Sequence, residues 1–68
     1  MKLTPAQERV IRELANGYDP PEIAERLNLS IWTVRTHIRM AADEIGGNDT
    51  PIRRCRRWAL THLSQEAA

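Results

Sequence analysis

The chain has 68 residues, of which 41% are hydrophobic, and its ten basic and nine acidic side chains give a net charge of +1. A chain this short buries only about 60% of its unfolded surface, which predicts one small domain over residues 1–68 and excludes a second. Near-neutral charge does not by itself indicate a polyanion partner, so any basic surface must come from segregation of charge along the chain.

Cysteine content and hydropathy limit the cellular compartment in which the protein is expected and the cofactors that it could bind. Cys55 is the only cysteine, so no internal disulfide forms, and no Cys/His spacing suggests zinc. The N-terminus lacks a signal-peptide stretch, and no apolar run approaches the roughly 18 residues that span a bilayer. These features predict a cytoplasmic protein without membrane contact or cofactor. Met1 suggests a natural start, and an excised domain that begins at Met is the alternative.

The first predicted helix spans residues 5–16. Thr4 is placed to cap it, a proline follows at the first helical position, and Gln7 completes a capping box. Gly17 supplies a left-handed stop, and Tyr18 is expected to cover the edge of the core. The inward stripe of this helix consists of Val10, Ile11 and Leu14.

Two further helices are predicted over residues 20–27 and 31–45, joined by a turn of three residues. Asp19 and Ser30 are their caps, and Asn28 lies where a left-handed conformation ends the first of them. A short helix, a tight turn and a longer helix form the helix-turn-helix pattern. The inward stripes consist of Ile23, Ala24, Leu27, Val34, Ile38, Ala41 and Ile45.

Three polar side chains of the longer helix, Arg35, Thr36 and Arg39, face away from its apolar stripe. Two arginines four residues apart can reach the floor of one DNA groove, where a guanidinium group bonds bidentately to guanine for about 1–3 kcal/mol of discrimination. The alternative is a solvated basic face, and the surrounding motif favours groove contact. Thr36 can touch a thymine methyl group or a phosphate.

A fourth helix is predicted over residues 51–64, after a loop that begins at Gly46-Gly47, with Asp49 or Thr50 as its cap. No strand is expected, so the predicted fold class is all-α, a compact four-helix domain containing a helix-turn-helix. The apolar face consists of Ile52, Cys55, Ala59 and Leu63, flanked by Trp58 and Leu60. The opposite side carries Arg53, Arg54, Arg56 and Arg57, which favours a polyanion or acidic partner over a merely solvated face.

The sequence has no constellation typical of an enzyme. No nucleophile lies beside a base, no carboxylates are paired in an apolar setting, and Gly46-Gly47 ends a helix where a phosphate-cradling loop would begin one. The chain is therefore predicted to be non-catalytic.

Several motifs together resemble the LuxR/GerE-type DNA-binding domain over nearly the whole chain. They are LTP at 3–5, Gly17, EIAERL at 22–27, LS at 29–30, TVRTHI at 33–38 and IG at 45–46. The resemblance implies a four-helix domain whose third helix enters the major groove of double-stranded DNA and whose fourth helix often forms a dimer contact. Sigma-factor region four shares the motif, but the spacing from Gly17 to Glu22 fits LuxR/GerE better.

The resemblance and the predicted helix faces assign roles to individual residues. Base contacts are expected from Arg35, Thr36 and Arg39. Contacts to the DNA backbone are expected from Ser30, Trp32, Thr33, His37, Arg53 and Arg54. Dimer or partner contacts are expected from Ile52, Cys55, Arg56, Trp58 and Ala59.

Several of these assignments have alternatives. Trp32 can contact DNA or a partner, or it can fold back over the first helix. His37 is more compatible with helix packing than with phosphate contact, and Cys55 and Trp58 belong either to the core or to a dimer contact.

The chain departs from the family pattern at three places. Gln7 and Arg9 replace the usual Glu, Ala42 replaces an aromatic residue of the core, and Asp43-Glu44 replaces a basic pair. The two acids are expected to hold the end of the third helix away from phosphate. The loop before the fourth helix also aligns poorly.

Two hypotheses follow. In the first, the chain is a small bacterial or phage transcriptional regulator that binds double-stranded DNA sequence-specifically as a homodimer. In the alternative, the same fold is a protein-interaction module that binds RNA polymerase, a sigma factor or another host protein through its Arg-rich fourth helix and Trp32.

Overall fold

A computed structural model describes residues 2–63, which form four α-helices and no strand. The helices are α1 (Pro5–Ala15), α2 (Pro20–Leu27), α3 (Ile31–Ile45) and α4 (Pro51–His62). The predicted all-α, four-helix fold class is confirmed. The first helix ends one residue earlier than predicted because residue 16 is its C-cap. The predicted end of the fourth helix, at residue 64, lies outside the described part of the chain.

Side-chain caps define where the helices begin. Thr4 Oγ1 accepts a hydrogen bond from Gln7 N at 3.1 Å, and Gln7 Oε1 accepts one from Thr4 N at 3.1 Å, which completes the capping box of α1. Ser30 caps α3 and Thr50 caps α4, each through its hydroxyl oxygen to the N–H group three residues on. Asp49 is not the cap of α4, because its carboxylate accepts the Thr50 N–H at 2.8 Å.

The turn between α2 and α3 depends on Asn28, which has φ 57° and ψ 48°. This left-handed conformation reverses the direction of the chain after α2. As a result Leu29 N donates a hydrogen bond to Ala24 O at 2.8 Å, which ends the helix. The short polar side chain of Asn tolerates this backbone region better than most residues do. The turn therefore fixes the direction in which α3 leaves α2.

This conformation carries a stability prediction for Asn28. We expect Asn28→Ala to lower the free energy of unfolding by about 1 kcal/mol, because a left-handed backbone costs an ordinary residue roughly 1–2 kcal/mol. Asn28→Gly should be close to neutral, since glycine has no Cβ to clash. Urea unfolding of the two variants measures the difference, and equal losses of stability would contradict the role given to the backbone.

The core forms where α1 packs against both α3 and α4, while α2 packs mainly against α3. Ala42 is completely enclosed at 1% exposure, so the position where the resemblance leads one to expect an aromatic residue is a small core contact here. The buried set consists of Val10, Ile11, Leu14, Ile23, Val34, Ile38, Ala41, Ala42, Cys55 and Ala59. Because its neighbours cover its inner side, α3 presents one outward face.

A cluster at the surface joins α1 to α2. The Arg26 guanidinium carbon lies 4.0 Å from the centroid of the Tyr18 ring, and Arg26 Nε lies 2.5 Å from Glu13 Oε1. The hydrogen bond to Glu13 raises the pKa of Arg26 above its usual range. Tyr18 packs against the core as expected, and it is also the platform for this ion pair.

Candidate nucleic-acid interface

The outward face of α3 is a ridge that begins in its first turn. Because Val34, Ile38 and Ala41 point inward, a rotation of about 100° per residue places four other side chains on the side farthest from the core, those of Trp32, Thr36, Met40 and Asp43. We call Trp32, Thr36 and Met40 the outer ridge, and the exposed carboxylate of Asp43 lies on the same side in the last turn of the helix. Trp32 is 75% exposed and Met40 is 50% exposed, while Thr36 between them is half-buried.

Arg35 and Arg39 lie beside the outer ridge, one helical turn apart, and both are exposed. Neither guanidinium group has an ion-pair or hydrogen-bond partner within residues 2–63. With Ile38 they line a shallow groove between α3 and the N-terminal ends of α2 and α4. Helix N-termini carry partial positive charge, which adds to the two arginines on this flank of α3, while the carboxylates of Asp19 and Glu22 lie at the same end of α2.

The predicted backbone contacts at the start of α3 are already part of its cap. Ser30 Oγ accepts a hydrogen bond from Thr33 N and donates one to Thr33 Oγ1, each at 3.0 Å. The Thr33 hydroxyl proton is left to donate elsewhere. His37 is half-buried, and its Nδ1 atom is enclosed without a hydrogen-bond partner in the described residues, which fits the helix-packing interpretation.

Trp32 does not fold back over α1. At 75% exposure its ring stands in solvent at the second position of α3. The interpretation as a core residue is therefore wrong. The prediction of a contact with DNA or a partner stays open.

Two of the four arginines of α4 are bound inside the molecule. Arg54 donates from Nε (3.1 Å) and Nη2 (2.7 Å) to Asp49 O, and from Nη1 (3.0 Å) to Ala42 O. Arg56 donates from Nε to Leu14 O at 2.8 Å. Ala42 O and Leu14 O also accept the backbone N–H groups of Gly46 and Gly17, so each guanidinium group is a second donor to a carbonyl near the end of a helix. Both arginines therefore have bonding partners inside the protein, and the assignments of Arg54 to the DNA backbone and of Arg56 to a partner stay predictions.

The other two arginines of α4 stay on the surface. Arg53 and Arg57 have side chains 74% and 81% exposed, and their guanidinium groups lie 3.7 Å and 3.9 Å from the carboxylate oxygens of Asp49. Exposed pairs of this kind are weak. The contribution of α4 to a basic surface is therefore two arginines partly balanced by one acid, and not a stripe of four.

The family model described as "Bacterial regulatory proteins, luxR family" matches residues 1–46, which include α1, the helix-turn-helix and the whole of α3. The chain belongs to the LuxR family of bacterial regulatory proteins. A LuxR-type helix-turn-helix domain binds DNA and regulates transcription, and it is not catalytic. No curated protein and no solved structure matches the chain.

The loop at 47–50 and α4 lie beyond the match, so their roles in this LuxR-family domain rest on the structure alone. Cys55 and Ala59, assigned to dimer or partner contact, are completely buried inside the protomer. The core alternative is correct for Cys55, and the assignment of Ala59 is wrong for the same reason. Ile52 and Trp58 are half-buried and keep some surface for a partner.

The end of α3 in this LuxR-family domain is electrostatically mixed. Glu44 Oε1 accepts a hydrogen bond from Lys2 N at 3.1 Å, and Asp43 is exposed. Acids are unfavourable at the negative end of a helix dipole. The guanidinium group of Arg54 lies at the same turn and partly offsets the negative charge of the two acids. The sequence predicts that this arginine contacts DNA.

Sequence reasoning missed Met40 and the capping function of Arg54. Met40 follows Thr36 by four residues and Trp32 by eight, so helical spacing alone could have placed it on the outer ridge. The position of Arg54 depends on the loop between α3 and α4, and no local pattern predicts that loop.

The structure also predicts the chemistry of Cys55. Its Sγ donates to Ile38 O at 3.4 Å, and burial raises the pKa of the thiol to about 11. At pH 8 this leaves roughly 100-fold less thiolate than at the ordinary pKa of 9.0. We expect disulfide reagents to modify the folded protein at least 100-fold more slowly than the urea-unfolded chain. Comparable rates would contradict the burial.

Residues 2–63 hold neither a metal-ligand cluster nor a helix that could cross a membrane. No three His, Cys, Asp or Glu side chains come together as metal ligands there. Nor does any helix in this range have the length and apolar character required to cross a bilayer.

Proposed function

We propose that this LuxR-family domain binds double-stranded DNA sequence-specifically by inserting the outward face of α3 into the major groove. The observation that supports this most is the difference between the arginines of two helices. Arg35 and Arg39 on α3 are exposed and without partners in the described range, whereas each of the four arginines of α4 has an acceptor within the protein. The free cations lie on the helix of the family's DNA-binding motif.

In this proposal Arg35 and Arg39 donate to guanine O6 and N7, the commonest specific contact in the major groove. Thr36 lies beside them on the outer ridge and faces the base edges. The hydroxyl of Thr33 and the positive N-terminal end of α3 face phosphate, and Arg53 reaches a flanking phosphate from α4. Ser30 supports these contacts by fixing the first turn of α3.

We further propose that the domain binds DNA as a homodimer. A single protomer offers few cations to phosphate, so its affinity would be low at physiological salt. The half-buried Ile52 and Trp58 supply apolar surface on α4, and a symmetric pair would read half-sites one helical turn apart, about 34–36 Å. Sedimentation at micromolar concentration should give monomer alone and a dimer on duplex. One protomer per duplex would contradict the pairing.

The alternative function is a protein-interaction module that binds RNA polymerase, a sigma factor or another host protein through α4. The observation that keeps it open is the exposed surface of Arg53, Arg57 and Leu60, which lies beyond the family match. Internal bonding of Arg54 and Arg56 makes this surface smaller than the sequence suggests.

An electrophoretic shift with random duplex at low salt separates the two functions. Each phosphate neutralised contributes about −0.9 to the slope of log affinity against log salt, so DNA binding should weaken steeply as salt rises. Selection of bound sites from random DNA should then yield one preferred sequence that contains guanine. No shift at any salt concentration would favour the protein partner, and binding without a preferred sequence would contradict base recognition by α3.

A further inference from the structure

We infer that the outer ridge of α3 recognises thymine methyl groups, so that the target site carries thymine beside the guanines bound by the arginines. This inference rests on the proposed function and adds a second kind of base contact to it. Trp32, Thr36 and Met40 form the ridge, and two of these three side chains are large and apolar.

Trp32 and Met40 are the two most exposed large apolar side chains in residues 2–63. The chain has only two tryptophans, and the other, Trp58, stacks on the His62 ring with centroids 4.4 Å apart. Trp32 is instead 75% exposed and Met40 is 50% exposed, on the same face of one helix. Large apolar side chains grouped on a protein surface usually mark a contact surface.

The charges beside the ridge favour DNA as the occupant of this surface. Arg35 and Arg39 run along one side of it and have no acceptors within residues 2–63. A duplex places phosphates at both walls of the groove and base edges on its floor. The arginines and the ridge therefore meet the same groove, and the ridge faces the floor because it is farthest from the core.

The chemistry of the ridge selects the thymine methyl group. The Met40 thioether is only a weak hydrogen-bond acceptor and the indole face of Trp32 carries no donor, so neither pairs strongly with the polar edges of G, C or A. In the major groove the C5-methyl group of thymine is the apolar feature that distinguishes one base from the others. The Thr36 side chain also ends in a methyl group. A largely apolar ridge beside base-reading arginines thus complements a thymine-containing sequence.

The length of the outer ridge sets the number of base pairs that it can contact. Trp32 and Met40 are eight residues apart, which is about 12 Å along a helix that rises 1.5 Å per residue. Base pairs rise 3.4 Å each, so the ridge spans roughly three to four of them. We expect the affected thymines to fall within one such stretch, adjacent to the guanines.

Replacement of thymine by uracil in the selected duplex tests this directly, because it removes the C5-methyl group and keeps the base pairing. Fluorescence anisotropy should show that uracil weakens binding about fourfold at each thymine under the ridge, the ratio expected for one buried methyl group. Trp32→Ala and Met40→Ala should each abolish the thymine-to-uracil ratio at the position they cover. Leu60→Ala, which removes an apolar side chain 49% exposed on α4, is the control and should keep the full ratio.

The outcomes distinguish this inference from the proposed function. Duplex binding that depends on Arg35 and Arg39 but is equal for thymine and uracil would overturn the methyl contact and leave the proposed function intact. The methyl contact would also be overturned if Trp32→Ala lowered the affinity for the thymine duplex and the uracil duplex by the same factor. The indole would then contact sugar or phosphate. A protein that binds no duplex would overturn both.

Discussion

Arg54→Ala should lower the melting temperature of this domain by roughly 10 to 20 °C. The residue makes three hydrogen bonds to two backbone carbonyl groups, one at the end of α3 and one in the loop that follows. Hydrogen bonds from a charged donor contribute about 1.5–3 kcal/mol, and Arg54 is half-buried, so we expect a total loss of about 2–3 kcal/mol. Each kcal/mol corresponds to about 4–8 °C in a domain of this size.

Two variants separate the loss of the Arg54 hydrogen bonds from the loss of its charge. Arg53→Ala removes the same charge from the neighbouring exposed position and should change the melting temperature by no more than a few degrees, because its ion pair with Asp49 is solvated. Arg54→Lys keeps the charge but loses the planar guanidinium group, so its melting temperature should lie between those of Arg54→Ala and Arg53→Ala. Calorimetry of the three proteins gives the ranking. Equal melting temperatures for Arg54→Ala and Arg53→Ala would show that the cap is not stabilising.

Loss of both arginines of α3 should remove the preference for the target site over random DNA. A bidentate arginine is worth about 1–3 kcal/mol of discrimination, so Arg35→Ala and Arg39→Ala should each reduce specific affinity by roughly 10- to 100-fold. Both side chains are exposed and without partners in residues 2–63, so the melting temperature should stay within a few degrees. Competition binding with target and random duplex measures the effect.

Arg9→Ala is the matched control. Arg9 is exposed on α1 and, like the α3 arginines, has no partner in the described part of the chain. Its removal should weaken binding to target and random duplex by the same small factor, as expected for a charge that acts only through the field of the protein. If the α3 variants behaved like Arg9→Ala, the assignment of base contacts would be wrong.

The helices and the turn could be predicted because their signals are local. Thr4, Ser30 and Thr50 each cap the helix that follows, and the hydrogen bonds involved join residues three positions apart. Asn28 marks the left-handed end of α2 for a similar reason. The motifs that carry the family resemblance include the caps Thr4 and Ser30, and the family match covers both of them.

The roles of the α4 side chains could not be predicted from local patterns. Four arginines in five positions suggest a basic surface, but Arg54 bonds to Ala42 and Arg56 to Leu14, which are 12 and 42 residues away. Such contacts depend on how helices pack and where their C-terminal carbonyls lie. The apolar face of α4 had the same ambiguity: its periodicity identifies Cys55 and Ala59 as apolar contacts but does not say whether the neighbour is this chain or another.

The arginine contacts also give α4 a role beyond partner binding. Arg54 fixes the end of α3 from one side, and the small buried residues Cys55 and Ala59 let α4 approach the core closely. We therefore interpret α4 as a support that sets the orientation of α3. Its exposed Arg53 and Arg57 remain for contact with DNA or a partner.

Methylation of the bound target by dimethyl sulfate tests the central claim most directly, because the reagent modifies guanine N7 in the major groove and adenine N3 in the minor groove. With α3 in the major groove, the wild-type protein should protect guanine N7 at the selected site, and the Arg35→Ala/Arg39→Ala variant should lose that protection. Adenine N3 should react normally in both. Protection of adenine N3 with guanine N7 fully reactive would contradict the insertion of α3 into the major groove.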